Sequence, residues 1–158
     1  MDLHLFLASR ADAIVNHAMD NMSTRSLPSY TKLGREGSAA KLRTLLDHVI
    51  EGARTHHLDP VVEHGERIGN ERYASGFEFV EVQSAINLLE ESIWERMLAE
   101  YPQGEVGHAL GIVATLLGAV KDRLACTYLS LATQTHVGSL DLQSLFRGTQ
   151  NTGGGKGS

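Results

Sequence analysis

An all-α fold is predicted from three observations. Apolar residues recur at helical spacing along nearly the whole chain. No stretch carries the two-residue alternation of a half-buried strand. The interruptions fall at Pro60, Pro102 and Gly76, residues that stop or start helices. The expected architecture is a helical bundle of five to six helices that ends in a long antiparallel hairpin. It forms a single unit over 1–147, followed by a Gly-rich stretch at 148–158.

Each element follows from its own pattern. Leu3, Phe6, Leu7, Ile14, Val15, Ala18 and Met22 predict a first helix over roughly 2–23. From Ser23 to Ser38, STRSLPSYTKLGREGS mixes Pro, Gly and hydroxyl residues without a period and reads as a loop. Leu42, Leu45, Leu46, Val49, Ile50 and Ala53 mark a second helix, with Ser38 as its expected N-cap. Asp59-Pro60 is a start signal, with an oxygen acceptor at the cap and proline at the first position. It opens a third helix over 60–74, and Gly76 supplies the positive φ that a helix stop needs. A fourth helix over 77–100 carries Val80, Ala85, Ile86, Leu89, Ile93, Trp94, Met97 and Leu98, and Tyr101-Pro102-Gln103-Gly104 ends it. Val106, Leu110, Val113, Leu117, Val120, Leu124, Tyr128 and Leu131 alternate steps of four and three, the heptad seam of a fifth helix. Ser139 is expected to cap a short last helix through Phe146. The closing GTQNTGGGKGS is too polar and Gly-rich to bury itself and reads as a linker or an added tail.

Bulk properties exclude several function classes. The chain has 158 residues, enough for one core, and its 42% hydrophobic and 21% charged residues suit a folded domain. Net charge is −5 and no Lys/Arg cluster is present, which argues against nucleic acid or an anionic membrane as partner. The opening MDLHLFLASR is too short an apolar run for a signal peptide or a span. One cysteine, Cys126, rules out an internal disulfide framework and fits a reducing cytoplasm. Its place near Leu124 and Tyr128 predicts a small residue at or near the core.

No nucleophile elbow, phosphate loop or HExxH metal motif is present, so no catalytic residue and no metal site is expected. Of the eight histidines (His4, His17, His48, His56, His57, His64, His108 and His136), His48 has Glu51 at i+3 but in the reverse order of the Glu-x-x-His pairs of di-iron bundles, and the set reads as solvent-facing or capping. Two alternatives remain for histidines. His48 is followed four residues later by Gly52, the spacing of phosphotransfer helices, but the intervening Glu51 would repel a phosphoryl group. His64 opens HGERIGNERYASGF ahead of two long helices, as a haem ligand does in globin-like sensors. There the ligand stands four residues before the glycine of the Ile-Gly pair. His64 stands five before Gly69, a rotation of about 100° around the helix. Haem is therefore an alternative and no cofactor the first expectation.

The stretch from Leu42 to Leu131 resembles the RsbT co-antagonist RsbRD N-terminal domain of RsbR-type proteins, which is also found ahead of sensor histidine kinases. LRTLLDHVIEGA, HGERIGNERYASGF and VEVQSAINLLEESIW carry the resemblance, with His64, Arg67, Arg72, Gly76, Glu81 and Leu88-Leu89 at the matching positions. One departure is Glu90 after Leu89, where many members carry an arginine. The resemblance implies a globin-like helical domain, normally without haem, that dimerises and passes a signal to a STAS or kinase output. On that expectation Val106, Leu110, Val113, Leu117, Val120 and Leu124, with the related stripe Gly107, Gly111 and Gly118, are candidates for the dimer interface. His64, Arg67 and Trp94 are candidates for a pocket. The expected function is a non-enzymatic, cytoplasmic signal-input domain of a bacterial stress-response regulator or sensor kinase.

Overall fold

The computed structural model describes residues 1–139, with side chains as far as Gln134. It holds seven helices and no strand among the described residues: α1 (Leu3–Ser9), α2 (Ala11–Met22), α3 (Pro28–Leu33), α4 (Arg35–Thr55), α5 (Asp59–Ala74), α6 (Phe79–Glu100) and α7 (Gln103–Ser139). Ser139, expected to cap a last helix, is instead the final described residue of α7; residues 140–146 of that helix and the Gly-rich stretch at 148–158 lie outside the described residues.

Two additional helices come from places where the apolar pattern is silent. The first expected helix divides at Arg10, whose φ of −116° and ψ of 10° break the spiral. Arg10 there bonds Glu100 of α6 and lies 4.2 Å over the Phe6 ring, so a tertiary ion pair marks the break. The expected loop at 23–38 contains α3, with Pro28 at its start, and the first residues of α4. Glu81 of α6 fastens α3 to the body. Its carboxylate accepts the Ser29 N–H at 2.8 Å and the Ser29 hydroxyl at 2.7 Å. It also accepts the Glu78 N–H at 3.1 Å, half of a capping box.

Two cap assignments need correction. Ser38 does not cap a helix. It lies inside α4, buried, and donates to the Tyr30 carbonyl at 3.1 Å. Asp59 is the first residue of α5 rather than its cap, which is Leu58. Gly76 behaves as expected: φ is +82°, the Phe77 N–H reaches the Arg72 carbonyl at 2.9 Å, and the Gly76 N–H reaches that of Tyr73 at 3.1 Å.

The long helix α7 is the spine of the core, packed on α5, α6 and α4. Val113, Leu117, Val120 and Leu124 are fully buried there, together with Leu45, Leu46, Val61, Leu89, Ile93 and Met97. Glycines allow the closest crossings. A Cβ on Gly69 would lie 2.6 Å from Thr127 Cγ2, one on Gly65 3.0 Å from the Val120 carbonyl oxygen, and one on Gly52 2.7 Å from Leu116 Cδ2. Glu90, at the family departure, is buried and paired with Lys121 of α7 at 2.9 Å, so α6 and α7 are also tied by charge.

Burial divides the residues expected at a dimer interface. Val113, Leu117, Val120 and Leu124 are covered by the chain's own helices and have no face left for a second copy, a correction to the seam reading. A seam of apolar heptads names no partner, and in this fold α4, α5 and α6 supply it. Val106, Leu110 and Gly118 are half-buried, and Gly107 and Gly111 are exposed. Cys126 is also exposed rather than near the core. Two residues along a helix is a turn of about 200°, so a residue flanked at that distance by buried Leu124 and Tyr128 faces outward.

Candidate functional site

α4 and α5 are joined by a short turn at 56–58, and a groove runs between them. The spacing of its lining residues puts one stripe of each helix on it: Lys41, Thr44 and His48 of α4 face His64, Arg67, Ile68, Glu71 and Arg72 of α5. The groove encloses about 480 Å³.

The two histidines considered separately in the sequence meet here. The rings of His48 and His64 stack with centroids 4.1 Å apart and planes inclined by 26°. His64 is 8% exposed, and neither of its ring nitrogens has a hydrogen-bond partner. Burial pushes its pKa down to about 4, helped by His48, Arg67 and Arg72. His48 is also shifted down, by burial first and then by Arg67. Both rings are therefore uncharged at neutral pH, which is what permits two imidazoles to stack. His48 Nε2 lies 3.5 Å from the Arg67 guanidinium.

The charged wall of the groove is uneven. Glu71 Oε1 accepts both Lys41 Nζ and Arg72 Nη1, each at 2.6 Å. The Lys41 hydrogen bond holds the Glu71 carboxyl below its ordinary range. Arg72 is 6% exposed, and its Nε has no partner. Arg67 is exposed and has no carboxylate partner among the described residues. Beneath the Arg72 end, Tyr30 and Phe77 meet edge to face at 5.0 Å. Tyr128 donates to the Phe77 carbonyl at 2.7 Å, and burial pushes its hydroxyl up to about 12.

Of the expected pocket residues, His64 and Arg67 share this groove and Trp94 does not. Trp94 is 41% exposed, whereas its neighbours Ile93 and Met97 are fully buried. The buried face of α6 thus passes just beside the indole, and the Ile93-Trp94 pair gave no sign of which of the two faces inward. Sequence reading missed the His48–His64 stack, Lys41 and Glu71. The i, i+4, i+8 spacing of His64, Ile68 and Arg72 was available, but nothing in α5 points to its partner on α4.

Neither histidine alternative fits its surroundings. A haem needs a flat apolar slot over its ligand histidine, but the His48 ring stacks on His64 and the groove beside them is charged. Gly52, four residues after His48, admits Leu116 of α7 rather than a docking protein, and Glu51 is engaged by Arg54. No group of three or more His, Cys, Asp or Glu suited to a metal occurs among the described residues. A second, more open cleft of about 650 Å³ lies where the end of α4 meets α7, between His56, His57, Gly107, His108 and Gly111.

The described residues thus form an all-α helical module with a charged groove between two of its helices. Comparison with protein families makes the class specific: residues 8–135 match the family of the RsbT co-antagonist protein rsbRD N-terminal domain, and the chain belongs to it. It is thus a regulatory sensor domain of the RsbR type, the class associated with stressosomes. No curated protein and no solved structure matches significantly. Among the described residues no helix is long and apolar enough to cross a membrane.

Proposed function

We propose that the chain is the non-enzymatic signal-input domain of a bacterial stress-response regulator or sensor histidine kinase. It works as a homodimer, and its output is a STAS or kinase partner. Family membership supports the input role. The observation that carries the dimer is the bare face of α7. A Cβ built on Gly104, Gly107, Gly111 or Gly118 meets nothing within 4 Å. Gly104, Gly111 and Gly118 recur every seven residues, so they lie on one stripe. Four glycines in a helix cost about 1 kcal/mol each relative to alanine. Gly52, Gly65 and Gly69 offset that cost by close packing inside the molecule, and the α7 glycines do not. A second copy of the helix at close range is the partner that would.

Light scattering coupled to size-exclusion chromatography tests this. The chain is expected to elute as a dimer. Gly111→Leu combined with Gly118→Leu should convert it to a folded monomer, because a Cβ at either position meets nothing within 4 Å in the chain itself. A chain that is monomeric at high concentration, or a dimer indifferent to both leucines, overturns the assignment.

A further inference from the structure

We infer that the α4–α5 groove is a binding site for a small oxyanion, a molecule carrying a phosphoryl or carboxylate group. Three observations carry it. First, the groove is locally cationic in a chain of net charge −5: Lys41, Arg67 and Arg72 line it against one carboxylate, Glu71. Glu71 serves Lys41 and Arg72 through a single oxygen, and Arg67 is left with no anionic partner among the described residues. Second, the groove wall contains buried polar groups without partners. Both ring nitrogens of His64 and Nε of Arg72 are unsatisfied, and these residues are 8% and 6% exposed. A buried donor left unpaired costs about 1–3 kcal/mol, and the single N–H of the neutral His64 ring and the Nε–H of Arg72 are two such donors on one wall. Third, the guanidinium of Arg67 meets only the acceptor Nε2 of His48, at 3.5 Å, among the described residues, which leaves its other N–H donors for an anion. The pairing of guanidinium with a planar or tetrahedral oxyanion is the geometry that arginine favours. Ala40, Leu33 and Ile68 supply apolar wall for a short carbon skeleton attached to the anionic group.

The inference rests on reading the domain as a signal input, since an occupied groove would tie α4 to α5 and so bear on α7, against which α5 packs through Gly65 and Gly69. Its test is a binding measurement, whose failure would leave the chromatographic test of the dimer untouched.

The full 158-residue chain, isotope-labelled, is titrated with inorganic phosphate and, separately, with butyrate, against chloride at matched ionic strength. The imidazole signals of His48 and His64 are followed. Saturable shifts with phosphate assign a phosphoryl ligand, and saturable shifts with butyrate assign a carboxylate. Arg67→Gln, an exposed and structurally mild change, should weaken the response at least tenfold, while Arg54→Gln on the far end of α4 should not. The inference is overturned by shifts that grow linearly with both anions as with chloride, or by shifts of equal midpoint in the Arg67→Gln chain.

Discussion

His64 shows how one residue converts its surroundings into a pH dependence. In the folded chain it sits under His48, with Arg67 and Arg72 on its own helix and Glu71 opposing them, and its pKa falls from 6.5 to about 4. Above pH 6.5 the ring is neutral in folded and unfolded chains alike and has no effect on stability. Between 6.5 and 4 the unfolded chain takes up a proton that the folded chain refuses, so stability declines with falling pH. Below 4 both states are protonated and the loss levels off, on the order of 3 kcal/mol. Urea unfolding of the chain and of His64→Leu at pH 7.5 and pH 5 should show this directly. The difference between the two pH values should shrink in the variant, and an equal difference in both would remove His64 as its source. Glu81 works in the opposite sense. Burial tends to raise its pKa, but the hydrogen bonds from Ser29 and Glu78 outweigh burial and hold it below the ordinary value. Glu81→Ala would leave the Ser29 and Glu78 donors without their acceptor and should cost about 2–3 kcal/mol in the same urea measurement, with faster amide exchange across α3. Undisturbed exchange there would mean that Glu81 is not what fastens α3.

At the scale of an element, identical residues have opposite worth according to what their helix meets. Gly69 and Gly111 are both mid-helix glycines, and each carries the same intrinsic penalty. A methyl on Gly69 would meet Thr127 at 2.6 Å, whereas one on Gly111 would meet nothing. Gly69→Ala should therefore destabilise by about 1–3 kcal/mol as α5 is pushed from α7, and at dilutions that keep the chain monomeric Gly111→Ala should stabilise it by about 0.5–1 kcal/mol. Thermal melts of the two variants should shift in opposite directions. Shifts of one sign would contradict the close crossing. The same distinction explains which boundaries could be read beforehand. Gly76 and Pro102 act through their own backbone, so they were legible. The break at Arg10 depends on Glu100, ninety residues away, and α3 depends on Glu81, and neither partner leaves a mark in the local pattern.

Across the whole molecule, the heptad seam of α7 and the glycine stripe beside it divide the work. The seam is spent on the chain's own core, and the stripe is what remains for a second copy. If the dimer forms there, its dissociation on dilution should expose α7 without unfolding α4–α6, and the melting temperature should rise with protein concentration. The groove between α4 and α5 is independent of that face, since no α7 residue lines it. The proposed anion site and the proposed subunit contact are thus separate surfaces of one bundle, joined by the tight α5–α7 crossing.

The sequence by itself determined the helical class, the principal helices, the turns at Gly76 and Pro102, and the family, because periodicity and backbone preference are local and the family motifs are contiguous. Tertiary structure alone decided that the α7 seam faces inward, that Trp94 and Cys126 face outward, and that His48 lies on His64. A helix repeats every 3.6 residues whatever it packs against, so the pattern shows that a face is apolar without saying which neighbour covers it. Which two helices lie side by side, and hence which histidines and cations share a groove, is settled only when close crossings such as Gly65 and Gly69 against α7 fix the arrangement of the bundle.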